Sequence, residues 1–359
     1  MGRVEVLVVG HYDGHGVATA AARARVLRRG GAEVAATSSY PEAGPEGLGD
    51  GSLLRLVEPF GARLVELVDI PVDARRPEAS ISTLARLRAA ARVRVFDHHD
   101  TTRLFAQRLA EAGVELALAR DGLAMAWDLG LLGGDDLEAL ELAIVGLVSD
   151  RDASVLRVVG REEVESRYLP LANRLDVAVR SPRALGLGGL GELVELLAER
   201  GPAAIPRGLE YPPERLAREL LSAVVEEGPA ALLVDWRSAS PEDTRWAAKT
   251  LEQLALMRRR AVVVAVVPGY NPRTGAVEGW DVRAARYWLA ADAPQPRAAL
   301  AAAARRLSLS RPIVGHPGYA IIRLDTPEQA MELAREVVRE VEREAAARAE
   351  EGRRVRVPL

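Results

Sequence analysis

Short apolar runs alternate with longer alanine- and leucine-rich stretches through the first half of the chain. Residues 4–10 (VEVLVVG), 32–39 (AEVAATSS), 63–69 (RLVELVD), 93–97 (VRVFD) and 114–119 (VELALA) read as strands. Residues 16–29, 80–91, 101–112, 122–132 and 136–148 read as helices. Strands and helices in alternation predict an α/β fold, with a doubly wound parallel sheet covered by helices on both faces.

The pattern breaks after about residue 176. RALGLGGLGE and then GPAAIPRGLEYPPE (201–214) are rich in glycine and proline, so a linker region is expected over 177–214, with a short helix at 190–200 inside it. A second α/β pattern follows. Its strands are expected near 230–235, 261–267, 279–287 and 319–324, and its helices near 241–258, 296–307 and 326–350. The expected division is a domain over 1–176 and a smaller one over 215–359. The last helix is amphipathic and heavily charged, as expected of a surface helix packed on the second domain.

Composition narrows the class. With 359 residues, 48% hydrophobic and 28% charged, the chain has the balance of a soluble globular protein. Its longest strongly apolar run, AVVVAVV at 261–267, is far short of the ~20 residues that span a bilayer, so no membrane role is expected. Met1 leads straight into strand-like residues with no secretory signal pattern, and a cytoplasmic location is expected. Cysteine is absent, which excludes disulfides, zinc–thiolate sites and cysteine nucleophiles. Any metal must be held by nitrogen and oxygen. A net charge of -3 gives no whole-molecule field to draw in long nucleic acid, although local arginine patches remain open.

Histidine is rare, and its positions are informative. The five are His11, His15, His98, His99 and His316. Four of them fall in HYDGH and DHHD, each directly after a strand-like run and each carrying aspartate, which is poor material for a core. Asp69 ends RLVELVD, Asp97 ends VRVFD, and Asp150 follows the apolar helix LELAIVGLVSD. In a doubly wound sheet the carboxyl ends of the strands face one crevice. His11, Asp13, His15, Asp69, His98, His99 and Asp150 are therefore expected to converge. Crowded carboxylates need large pKa shifts or a cation. Imidazole and carboxylate together suit Mn²⁺, Fe²⁺, Co²⁺ or Zn²⁺. So many candidate ligands exceed what one ion takes, and two ions are expected. A pair ~3.5–4 Å apart can share a water, lower its pKa and direct the resulting hydroxide at phosphorus, which is phosphoester hydrolysis. Gly14 and Gly16 are expected to let the backbone turn tightly here, and the small residues of VATAAA to let the next helix pack closely. Trp236, Trp246 and Trp288 are expected in the core.

GHYDGHGVATA, LVDIP, VFDHHDTT and GLVSDRD, in that order, resemble the four N-terminal motifs of the DHH phosphoesterase superfamily. The resemblance implies that 1–176 is a metal-binding catalytic domain in which His11 and Asp13 bind a first metal, Asp69 bridges two, and His98 and Asp150 hold the second. It also implies that His99 contacts the scissile phosphate while Asp97 orients the histidines. His15 stands where the family has an aspartate, replacing an anionic oxygen ligand of the second metal by a neutral nitrogen. That exchange favours Mn²⁺, Co²⁺ or Zn²⁺ over Mg²⁺. Asp73, Asp100 and Asp152 have no counterpart and are expected as caps or solvated charges.

RPIVGHPGYAIIRL (311–324) is similar to the Gly-Gly-His loop of the DHHA1 domain, with Val314 in place of the first glycine. This implies that Gly315 and His316, with Arg283 and Arg286 of WDVRAARYW, bind substrate phosphate or base across a cleft between the domains. The function expected is a metal-dependent phosphodiesterase acting on short oligonucleotides or cyclic dinucleotides, with two divalent ions, Mn²⁺ foremost and Co²⁺ or Zn²⁺ as alternatives. The same residues leave open a RecJ-like single-strand-specific 5'-3' exonuclease, a pyrophosphatase or polyphosphatase, and a non-catalytic replication-associated scaffold. A homodimer is compatible with the sequence, but no residue pattern argues for one.

Overall fold

The computed structural model describes residues 4–39, 52–73, 76–271, 274–289, 293–316 and 318–355. Its contacts divide the chain into two units, Met1–Glu210 and Tyr211–Leu359.

The first unit is built on five parallel strands: β1 (Val6–Gly10), β2 (Val34–Ser38), β3 (Leu64–Val68), β4 (Arg92–Asp97) and β5 (Glu115–Leu118). Their order is β2-β1-β3-β4-β5. The chain winds outward from β1 in both directions, and a sheet of this order forms its ligand crevice where the winding reverses, between β1 and β3. One face is apolar. Leu7, Val9, Val65, Leu67, Val93 and Val95 pack there with Leu53, Leu84 and Leu109 from the covering helices. On β1 and β2 lies α1 (Gly14–Arg29). Ala18, Ala21 and Ala22 are fully buried in α1, and their short side chains permit a close approach.

Other helices of this unit include a short one at Ser52–Val57, which carries Leu53, and α2 (Pro77–Ala90), α3 (Gly122–Asp128), α4 (Leu137–Ser149), α5 (Leu169–Arg180) and α6 (Leu190–Arg200). Of these, α4 packs extensively along α1. The helix expected over 101–112 is two, Asp100–Leu104 and Ala106–Glu111, because Phe105 leaves helical geometry at φ -110°. The one expected over 122–132 stops at Asp128, where Gly130 turns the chain out at φ 70°. Within the stretch expected as a linker, α6 packs against α1 and β2, and Glu195 on it accepts from the Ala36 amide at 2.7 Å.

The second unit carries a mixed six-stranded sheet: β6 (Val224–Glu227), β7 (Ala231–Asp235), β8 (Val262–Tyr270), β9 (Val277–Arg286), β10 (Ile313–His316) and β11 (Tyr319–Leu324). The order is β10-β11-β9-β8-β7-β6, and only β7 and β8 run parallel. The final helix, α7 (Pro327–Val355), places Ala330, Leu333, Ala334, Val337, Val338 and Val341 in the core at helical spacing. Trp236, Trp246 and Trp288 are buried. No helix among the described residues is long and apolar enough to cross a membrane.

Candidate metal centre

Sheet register builds the centre. Gly10 is level with Val68, and Val68 with Phe96. The next residues, His11, Asp69 and Asp97, therefore stand in one row at the carboxyl edge, at the crevice between β1 and β3. The ladder continues one step beyond the strands, since the His11 amide donates to Val68 O (3.1 Å) and the Asp69 amide to Phe96 O (2.8 Å). Asp69 has φ 63°, a left-handed conformation that costs a non-glycine residue about 1–3 kcal/mol and is retained where surroundings enforce it.

Asp13 caps α1, with Oδ1 accepting from the Gly16 amide at 2.8 Å, while Oδ2 lies 2.7 Å from His11 Nδ1. Gly16 is required by proximity rather than by turn conformation. A Cβ there would lie 2.4 Å from the His11 backbone nitrogen, and one on Gly14 would lie 2.0 Å from Ser149 Oγ. The expected role of these glycines is thus corrected: they bring α1 against β1 and α4.

Asp69 is the hub. Its Oδ1 is 3.1 Å from His98 Nε2 and 3.8 Å from His99 Nδ1; its Oδ2 is 3.0 Å from His15 Nδ1. Asp150, capping the end of α4, brings Oδ2 within 3.8 Å of His15 Nδ1 and 3.9 Å of His98 Nε2. Three overlapping groups of donors result: His11, Asp13 and Asp69; His15, His98 and Asp150; and Asp69, His98 and His99. Behind them Asp97 is fully buried. Its Oδ1 accepts from the His98 amide (2.9 Å) and meets His99 Nδ1 at 2.6 Å. The side chains of Asp13 and Asp150 remain 44% and 36% exposed, so the crevice is open to solvent.

Electrostatics hold the cluster in a proton-rich state. Burial opposes charge on each histidine, yet the carboxylates overcome it. Asp13 brings His11 to about 9, Asp69 brings His15 to about 10 and His98 to about 9, and Asp97 brings His99 to about 9. Burial likewise opposes charge on Asp13 and Asp69, but His11 lowers Asp13 to about 2 and His15 holds Asp69 well below the usual carboxylate range. At Asp150, partial desolvation by the packed crevice walls prevails over the pull of His15 and raises it to about 6, although the side chain keeps a solvent-facing side. Protons thus neutralise carboxylates where divalent cations would serve equally, and binding a cation would release them.

The residues present fit metal ions. His15 is 2% exposed, and its Nδ1 has no aligned hydrogen-bond partner although it points at the gap between two carboxylates. A buried polar atom left this way has a reason to be there. Imidazole and carboxylate are the donors borderline divalent ions take.

Asp152 is a cap, accepting from the amides of Ser154 (2.8 Å) and Gly122 (2.8 Å), whereas Asp73 is buried and accepts from the Arg76 amide (3.2 Å) ahead of α2, whose N-cap is Arg76 itself. Asp100 is a solvated partner of Arg103. In the second unit Arg283 donates through its terminal nitrogens to Asp281 Oδ2 (2.9 Å) and Thr244 O (2.8 Å), while its buried Nε meets no acceptor. Arg286 is half-buried, with a buried Nε that no acceptor meets; burial and nearby Arg348 push its pKa down. Gly315 and His316 lie on β10, paired to β11 as a strand and not in the open loop expected, and their side chains fall outside the described residues.

Supports not anticipated from sequence include Ser38, whose Oγ donates to His11 O (3.0 Å), and Ser149, which donates to Asp176 Oδ1 (2.6 Å) beside Gly14. Ser38 had a visible signal, a polar pair at the carboxyl end of β2. Asp176 had none.

The comparisons that returned matches are those with solved structures. Structures similar to the chain include an exonuclease RecJ bound to manganese, at 18% identity over 95% of this chain and 90% of that one, TM-score 0.48. RecJ from Thermus thermophilus in complex with Mn²⁺ gives 18% identity over 95% and 52%, TM-score 0.45, so the chain spans about half its length. A putative family II inorganic pyrophosphatase from Methanococcus jannaschii gives 12% identity over 95% and 100%, TM-score 0.24. No protein-family profile and no curated protein matches the sequence.

Proposed function

We propose that this chain is a metal-dependent phosphodiesterase of the DHH type, hydrolysing short oligonucleotides or cyclic dinucleotides with two divalent ions, Mn²⁺ foremost. One observation carries the reading: donors from three strand ends, the start of α1 and the end of α4 meet in overlapping groups that share Asp69 and His98. His11, Asp13 and Asp69 would hold one ion, and His15, His98 and Asp150 the other, with Asp69 common to both. When bound, such a pair supplies Lewis acidity at a phosphoryl oxygen and hydroxide near neutral pH.

The chain's own residues do the rest. Asp97 fixes the His99 ring through Nδ1, leaving Nε2 to donate to a phosphate oxygen when the imidazole is protonated. The open faces of Asp13 and Asp150 leave an approach for substrate. In the second unit Arg283 and Arg286, each with an Nε that no acceptor meets, are the arginines proposed to bind substrate phosphate. A net charge of -3 suits substrates of few phosphates.

Mn²⁺-dependent hydrolysis of a dinucleotide, a longer RNA, a single-stranded DNA and pyrophosphate, measured side by side, tests the reading. The dinucleotide should turn over fastest, and Asp69→Ala should abolish turnover. Preference for the DNA would point to an exonuclease, preference for pyrophosphate to a pyrophosphatase, and no hydrolysis of any would refute catalysis.

A further inference from the structure

His15 has a place made for it. Its ring is wedged between α3 and α4 at two glycines: a Cβ on Gly122 would stand 3.3 Å from His15 Cε1, and one on Gly146 would stand 3.2 Å from His15 Cδ2. Seated there, the ring lies edge-on to His98, with centroids 5.4 Å apart and planes at 78°. It presents Nδ1 to Asp69 Oδ2 and Asp150 Oδ2 with no aligned hydrogen bond to either. A buried donor in a shaped slot, aimed between two carboxylates, is oriented as a ligand.

The consequence is an asymmetric pair of sites. Around His11, Asp13 and Asp69 one imidazole accompanies two carboxylates. Around His15, His98, Asp150 and the shared Asp69 there are two imidazoles. Mg²⁺ demands oxygen ligands and sheds water reluctantly, whereas nitrogen donors favour later first-row ions. Building on the proposed two-metal reading, we propose that His15 makes the second site selective: it retains Zn²⁺ or Co²⁺, and Mn²⁺ less tightly, against Mg²⁺, while the first site is the more permissive.

Metal content and spectra test this without assaying activity. The full chain, stripped with chelator and dialysed against Zn²⁺ with a large excess of Mg²⁺, should keep one tightly held Zn²⁺, and Co²⁺ loading should give an absorption band from a site with two imidazoles. His15→Asp should alter that band and raise Mg²⁺ affinity at the second site. Changes in partners that only support a ligand already move metal affinity by about 10–100-fold, so exchanging the ligand itself should shift the Zn²⁺/Mg²⁺ preference by at least about tenfold. His15→Asn provides a variant of similar size that should lose the tight Zn²⁺ without gaining Mg²⁺. Equal retention of Mg²⁺ and Zn²⁺ by the unaltered chain, or a preference that neither substitution moves, overturns the proposal. Failure to hydrolyse phosphodiesters despite two bound ions would instead overturn the functional reading and leave this one standing.

Discussion

Each unit buries a charge cluster against its sheet, and the two are completed differently. In the second, Asp281 is 1% exposed and meets Arg283 on its own strand and Arg323 directly across on β11, at 2.9 and 2.7 Å. One carboxylate answers two guanidinium groups that never give up their charge. In the first, the charged partners of Asp13, Asp69, Asp97 and Asp150 among the described residues are histidines, whose charge is a proton that can leave. The first cluster has donors that become free on deprotonation and converge on common points; the second has none. A buried cluster closed by arginine is architecture, and one closed by borrowed protons can exchange them for metal.

Several substitutions separate the two, beginning with the strongest. Asp69→Asn preserves shape and tolerates the left-handed backbone, yet removes the charge common to both proposed ion positions. Isothermal titration should show both ions lost, while circular dichroism shows the fold retained. Asp281→Ala should do the reverse. Leaving Arg283 buried without its partner costs about 3–5 kcal/mol of stability, measured by denaturant unfolding, and metal stoichiometry should stay unchanged.

Acidity offers a milder test. In the metal-free chain His11, His98 and His99 titrate at about 9 and His15 at about 10, above the 6.5 of an unfolded histidine. Their contribution to stability is present in full below pH 6.5 and is lost as pH rises through 9 and 10. Asp13 acts at the other extreme, its contribution present above pH 3.8 and lost as pH falls through about 2. The melting temperature of the metal-free chain should therefore fall between pH 6.5 and 10, and metal affinity should rise across the same interval with release of protons. Affinity independent of pH would separate these histidines from the metal. The least effect is expected from Asp100→Ala, within about 0.5 kcal/mol and silent in metal binding, because its carboxylate is solvated.

Much of the crevice was legible because the apolar runs of β1, β3 and β4 stop at a histidine or aspartate, and a parallel sheet gathers such stops along one edge. What the residues do not encode locally is which strands are neighbours. That β1 lies between β2 and β3 follows from tertiary winding, and so does the contact of Ser149 and Asp176 beside Gly14. The arginines of WDVRAARYW have the look of phosphate ligands. Yet Asp281 and Arg283, two residues apart on one strand, share a face, a spacing that foreshadows their pairing. Arg323, the second partner, becomes visible only with the β9–β11 register. The edge strands β6 and β10 carry little signal because each has only four residues, and β6 ends in two exposed glutamates.

The one-residue extension of the ladder past β1 and β3 has a kinetic corollary. With the amides of His11 and Asp69 engaged by Val68 and Phe96, these ligand backbones exchange hydrogen only when the central sheet itself opens. Stripping the ions should therefore leave those two amides about as protected as the strand interior, so that reloading amounts to filling a preformed cage instead of refolding one.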